Sequence, residues 1–175
     1  LLDGGLADNL GLRFMLDRFT LAKAVNPAIS HRRPHLRRLV QISVNAQARQ
    51  GFPELDQYAE VPTLRAIAFS VANTTDRYNV ETLAYARSSL DEAAQSLTSS
   101  RRQRNPADNM DVQAMLIEIG FDNLKNDGER SYFNALPTSF RLPPEAIDQL
   151  RAAGARLLRD APEYQRLLRD LPALR

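Results

Sequence analysis

Hydrophobic and polar positions alternate along this chain in stretches that predict strands and helices in turn. The run Leu39–Asn45 is rich in β-branched residues and alternates with polar ones, which predicts a strand. A second run, Val112–Ile119, predicts another strand that ends at Gly120. Between them, Thr63–Ser100 has helical spacing, and we expect two helices that are broken near Asn73-Thr74-Thr75.

The apolar positions expected on the buried faces of these helices share a spacing of three or four residues. They are Leu64, Ile67, Ala68 and Val71, followed by Val80, Leu83, Ala84, Leu90, Ala94 and Leu97.

Polar segments rich in glycine and proline separate these elements. Gln47–Pro62 is predicted to be an irregular loop able to cover a neighbouring site. Arg101–Asn109 is predicted to be a connection, and Asn123–Arg130 a turn-rich segment before a short apolar piece at Tyr132-Phe133.

The last third of the chain predicts two helices that form a hairpin. Pro143-Pro144 begins one and Pro162 begins the other, since proline is favoured in the first turn of a helix. The apolar positions are Ile147, Leu150, Gly154, Leu157 and Leu158 in the first helix, and Tyr164, Leu167, Leu168 and Leu171 in the second.

The first residues predict a strand end, a tight turn and a helix. Leu1-Leu2 ends the strand, and a helix capped by Asp8 or Asn9 runs to about Ala24. Strand, turn, helix and strand together indicate the α/β class, with a parallel or mixed sheet and flanking helices. The chain has 175 residues, which fits one domain or the larger part of one.

The turn between that strand and helix carries the candidate chemistry. Asp3 is followed by Gly4 and Gly5, which allow a sharp turn and a close approach to the backbone. Asp-Gly is by itself a common turn dipeptide. Its position after a strand and before a helix is where ligands and reactive groups gather in open α/β sheets.

The segment Leu1–Leu12 resembles the Asp-Gly-Gly region of patatin-like phospholipases, in their bacterial branch. The stretches Ser43–Ala46, Leu136–Phe140 and Pro143-Pro144 resemble the same proteins. The resemblance implies the patatin-like three-layer fold and a serine esterase that acts on lipid or phospholipid esters. It implies that Asp3 is the base of a Ser-Asp dyad that uses neither cofactor nor metal. It also favours a bacterial envelope or membrane-associated location, with peripheral membrane contact.

The nucleophile of such a dyad is expected outside these residues. The family carries it in a Gly-x-Ser-x-Gly turn, and no such pattern occurs in the sequence. We therefore expect residues 1–175 to be the C-terminal part of a single patatin-like domain, with a Ser-bearing N-terminal part of the same protein as its partner. The oxyanion hole is expected there too, and this chain alone is expected to be inactive and unstable.

The net charge and the amino-acid composition argue against several other classes of function. The net charge of +2 disfavours a nucleic-acid partner, and the absence of cysteine excludes disulfides and thiolate metal sites. Two basic clusters, His31–Arg38 and Arg101–Arg104, are each able to meet phosphate, although solvated loops are the more common role of such clusters. The histidines, His31 and His35, lie in the first cluster.

The acidic residues near the second predicted strand are expected to be solvated loop ends, and they have no metal-ligand spacing. They are Asp108, Asp111, Glu118 and Asp122. Asp8 is expected to cap a helix or face its dipole. The alternative to a hydrolase is a non-catalytic module that binds membranes or proteins through a basic surface, with Asp3 serving only in a turn.

Overall fold

A computed structural model describes residues 10–12, 17, 36–48, 63–137, 139 and 141–171, with the backbone alone over 63–76. The chain divides into two compact units. Unit 1 comprises Leu1–Gln41 and Thr74–Leu116, and unit 2 comprises Ile42–Asn73 and Ile117–Arg175.

Helices and strands are both present in the described part of the chain, which confirms the α/β class at this coarse level. The elements are strand β1 (Arg38–Asn45), helix α1 (Thr63–Arg104), strand β2 (Gln113–Gly120), a 3-10 helix (Phe121–Asn123), and helices α2 (Asp127–Asn134), α3 (Pro144–Asp160) and α4 (Pro162–Asp170).

The strands β1 and β2 are hydrogen-bonded neighbours and run parallel. Both strands predicted from the sequence are confirmed within one residue at each end. The register begins where the Gln113 N–H donates to the Arg37 carbonyl at 2.9 Å. At the other end Gly120 lies against Asn45, so both strands finish at the same edge.

Helix α1 is continuous, and the predicted break near Asn73-Thr74-Thr75 is wrong. Asn and Thr are only weakly unfavourable in helices, by less than about 1 kcal/mol each relative to Ala. The 42 residues of α1 contain neither proline nor glycine, the residues that interrupt helices most strongly. The helix also continues through Arg104, so the predicted connection begins later, at Asn105.

The buried stripe of α1 differs from the predicted apolar face. Leu90 and Ala94 are buried as expected, but Val80 and Ala84 are exposed. The buried positions of α1 do recur at helical spacing, but many of them carry small or polar side chains. Hydrophobicity alone does not identify such positions. The buried members of this stripe are Asn79, Thr82, Ala86, Leu90, Ala93, Ala94, Thr98 and Arg101.

The core of unit 1 is an aliphatic cluster built around α1 and β2. Its buried members are Leu12, Ala86, Leu90 and Leu116, and the partly buried Leu10, Leu39, Leu83 and Ala114 pack against them. Residues distant in sequence therefore meet on one face of α1, and their burial stabilises this unit.

In unit 2, the segment predicted to be turn-rich contains a 3-10 turn and the start of α2, so that expectation was wrong about the helix. Asn126 caps α2 by accepting the Glu129 N–H at 2.8 Å, and the predicted apolar piece at Tyr132-Phe133 is helical. The ring of Phe133 stacks on Phe121 with centroids 5.3 Å apart. This stacking holds α2 against the 3-10 helix.

The two C-terminal helices are confirmed, and they contact each other as a hairpin. Each begins with proline at its first position, as predicted. Leu157 and Leu167 are buried, whereas Ile147, Leu168 and Leu171 remain nearly half exposed. The expected apolar faces are therefore wrong at these three positions, because the contact surface is formed partly by the small residues Ala146, Ala153 and Ala161.

We predict that Gly120→Ala destabilises the protein. A methyl group there would lie 3.1 Å from the Asn45 carbonyl oxygen, a tight contact with backbone that would have to shift by a few tenths of an ångström within the paired strands. Overpacking of this kind costs about 1–3 kcal/mol. Thermal unfolding followed by circular dichroism measures the loss.

The matched control is Gly154→Ala in α3. A methyl group there meets nothing within 4 Å and improves helix propensity by about 1 kcal/mol. Equal unfolding temperatures for the two variants would contradict the proposed close packing at Gly120.

Candidate functional site

The catalytic motif predicted from the sequence lies outside the described residues. This applies to Asp3, Gly4 and Gly5, and equally to Asp8 and to the histidines His31 and His35. Of the predicted covering loop, only Gln47 and Ala48 are described, and they are irregular. In unit 1 the structure describes Leu10–Leu12, which follow the motif in sequence, and the end of α1.

The residues that follow the motif are anchored in the core of unit 1. Leu12 is only 5% exposed, and Leu10 packs against the same cluster. Between them Gly11 has a φ of +63°, a left-handed conformation that glycine adopts without steric cost. Leu12 and Asp17 have helical backbone, which supports the predicted helix at these positions, whereas Leu10 and Gly11, also expected within it, are not helical.

A buried charge network lies at the end of α1, where the chain turns toward β2. We call it the Arg101–Asp108 network. The Arg101 side chain is 8% exposed; its Nη1 donates to the Leu36 carbonyl at 2.8 Å, and its Nη2 lies 3.3 Å from Asp108 Oδ2. Arg37 Nη1 lies 4.0 Å from Asp108 Oδ1. One carboxylate thus balances a buried cation and a neighbouring one, and the network joins the start of β1 to the end of α1.

The position of Asp108 follows from local backbone chemistry. Its Oδ1 accepts the Met110 N–H at 3.0 Å, closing a short turn typical of aspartate. This hydrogen bond is the largest cause that lowers the pKa of Asp108; burial opposes it, and the positive charges of Arg101, Arg37 and Arg102 lower the pKa further. Asp108 is therefore held in its charged form.

Beside this network, three further contacts fix the end of α1. The Val112 N–H donates to Thr98 Oγ1 at 2.9 Å in a buried contact that sets the entry into β2. Arg102 pairs with Asp111 at 2.6 Å on the surface, and Arg104 Nε donates to the Ser100 carbonyl at 3.1 Å.

The basic cluster Arg101–Arg104, for which the sequence favoured solvated loop residues and left phosphate binding open, makes contacts within unit 1. Arg101 is buried, and all three arginines have partners within the chain. The view of solvated loop residues is wrong for Arg101, because its guanidinium replaces water with a carbonyl and a carboxylate. Of the other cluster, the structure describes only Leu36, Arg37 and Arg38.

Asp108 was wrongly assigned to a solvated loop end. Its side chain is 22% exposed and bound to arginine, and Asp111 is exposed but paired with Arg102. Glu118 and Asp122 are exposed, as expected. The separation of seven residues between Arg101 and Asp108 was a usable signal for the pair. Leu36, which precedes Arg101 by 65 residues, had no such signal.

The common carboxyl edge of β1 and β2 carries two amide side chains. Asn45 Oδ1 accepts the Gln47 N–H at 3.0 Å, and Asn123 Oδ1 accepts the Gly120 N–H at 2.8 Å. Both oxygens therefore shape the turns that leave the strands. Within the described ranges, no three acidic or histidine side chains converge on a point that would suit a metal ion.

The chain matches no protein-family model, no curated protein and no solved structure in our comparisons. Among the helices in the described segments, none combines the length and apolar character required to cross a bilayer.

We predict that Asp108→Asn lowers the unfolding temperature substantially more than Asp111→Asn. Both changes remove a carboxylate charge beside an arginine at the same helix end, but only Asp108 faces a buried one. A buried guanidinium without its counter-charge is strongly destabilising, whereas exposed pairs contribute only about 0–1 kcal/mol. Thermal unfolding at pH 7 compares the variants, and similar losses for both would contradict a structural role for the network.

The lowered pKa of Asp108 also predicts that the stability difference between wild type and Asp108→Asn depends on pH. Because the pKa of Asp108 is lowered on folding, its charge stabilises the protein above the ordinary value of 3.8, and this contribution is lost as the pH falls through the lower folded pKa. The difference in unfolding free energy between wild type and Asp108→Asn should therefore shrink as the pH falls below 3.8. Denaturant titrations from pH 7 down to pH 3 measure it, and a difference that is constant across this range would refute the assignment.

Proposed function

We propose that this chain is the Asp-bearing C-terminal part of a patatin-like lipid acyl hydrolase. Asp3 is the base of a Ser-Asp dyad, and the nucleophilic serine belongs to a Ser-bearing N-terminal part of the same protein. The substrates are phospholipid or lysophospholipid esters. Peripheral contact with a membrane, in a bacterial envelope or membrane-associated setting, belongs to the same proposal.

The observation that carries this proposal is the anchoring of Leu10 and Leu12 in the core of unit 1. Leu10 and Leu12, at the end of the segment Leu1–Leu12 that resembles the family, thus belong to a packed structural unit. The parallel pairing of β1 and β2 supports it further, because parallel strands belong to α/β folds that place reactive groups at strand ends.

The chemistry requires only one base beside the serine. As the serine Oγ attacks the ester carbonyl carbon, Asp3 accepts the hydroxyl proton and then delivers it to the departing alcohol. Water hydrolyses the resulting acyl-enzyme by the same steps, with Asp3 again accepting the proton. A carboxylate within hydrogen-bond reach of the hydroxyl performs this role without an imidazole.

A second candidate is a non-catalytic interaction module. Such a module would bind a protein rather than an acidic surface. The support for this is that Arg101, Arg102 and Arg104 already have hydrogen-bond partners within the chain. The outward face of β1 is apolar and open, with Val40, Ile42 and Val44 between 39% and 64% exposed. In this module Asp3 would have no chemical role.

We predict that Asp3→Asn reduces ester hydrolysis by about 10²- to 10⁴-fold, the usual contribution of a general base. The assay uses the protein purified together with its Ser-bearing part, with lysophospholipid as substrate. Asp8→Asn is the matched control, since a helix-capping carboxylate should leave turnover within a few-fold of wild type.

Intact-mass spectrometry after fluorophosphonate treatment identifies the polypeptide that holds the activated serine. A label on a companion polypeptide is the expected result. Unchanged hydrolysis in Asp3→Asn, or the absence of any labelled polypeptide, would reject the hydrolase and leave the interaction module.

A further inference from the structure

We draw no further inference here: the strongest candidate, the open apolar face of β1 formed by Val40, Ile42 and Val44, carries none, because nothing among the residues that the structure describes shows what covers it.

Discussion

Unit 1 depends on one buried cation. The Arg101 guanidinium binds the Leu36 carbonyl and the Asp108 carboxylate, and so it joins the residues before β1 to the turn after α1. The first backbone hydrogen bond of the strand pair, from Gln113 to Arg37, lies beside this contact. A buried charge that satisfies a backbone carbonyl specifies one register, because a shift of a single residue would leave both groups without partners.

This use of arginine changes how the basic clusters of the chain are understood. A local excess of positive charge in sequence is ordinarily taken as a surface for phosphate. Here the arginines at the end of α1 pair with two aspartates and donate hydrogen bonds to two backbone carbonyls of the same unit. The two aspartates offset part of this positive charge, the carbonyls accept hydrogen bonds without neutralising it, and together these contacts fix the end of α1.

The sequence predicted the elements well where periodicity and local chemistry agree. Alternation located β1 and β2, and Pro144 and Pro162 located the starts of the last two helices. The break in α1 was wrong because Thr and Asn weaken a helix too little to end it without proline or glycine. The buried stripe of α1 was missed where its members are small or polar, since only tertiary contacts reveal that Asn79 and Thr82 face inward.

In the candidate site too, some features could be predicted from the sequence and others could not. Asp3 was identified by resemblance, and its structural surroundings lie outside the described residues. The anchoring of Leu12 was foreseeable from the helical pattern, whereas the left-handed turn at Gly11 was not, because glycine adopts either hand of backbone equally well. The contact between Leu36 and Arg101 joins residues 65 positions apart, which no local pattern encodes.

The outward face of β1 has a consequence for how the chain behaves in the cell. Val40, Ile42 and Val44 form a row of β-branched side chains open to water. Such a row attracts chaperones during synthesis and promotes association between copies as concentration rises. The solubility of this polypeptide at high concentration therefore depends on these three side chains.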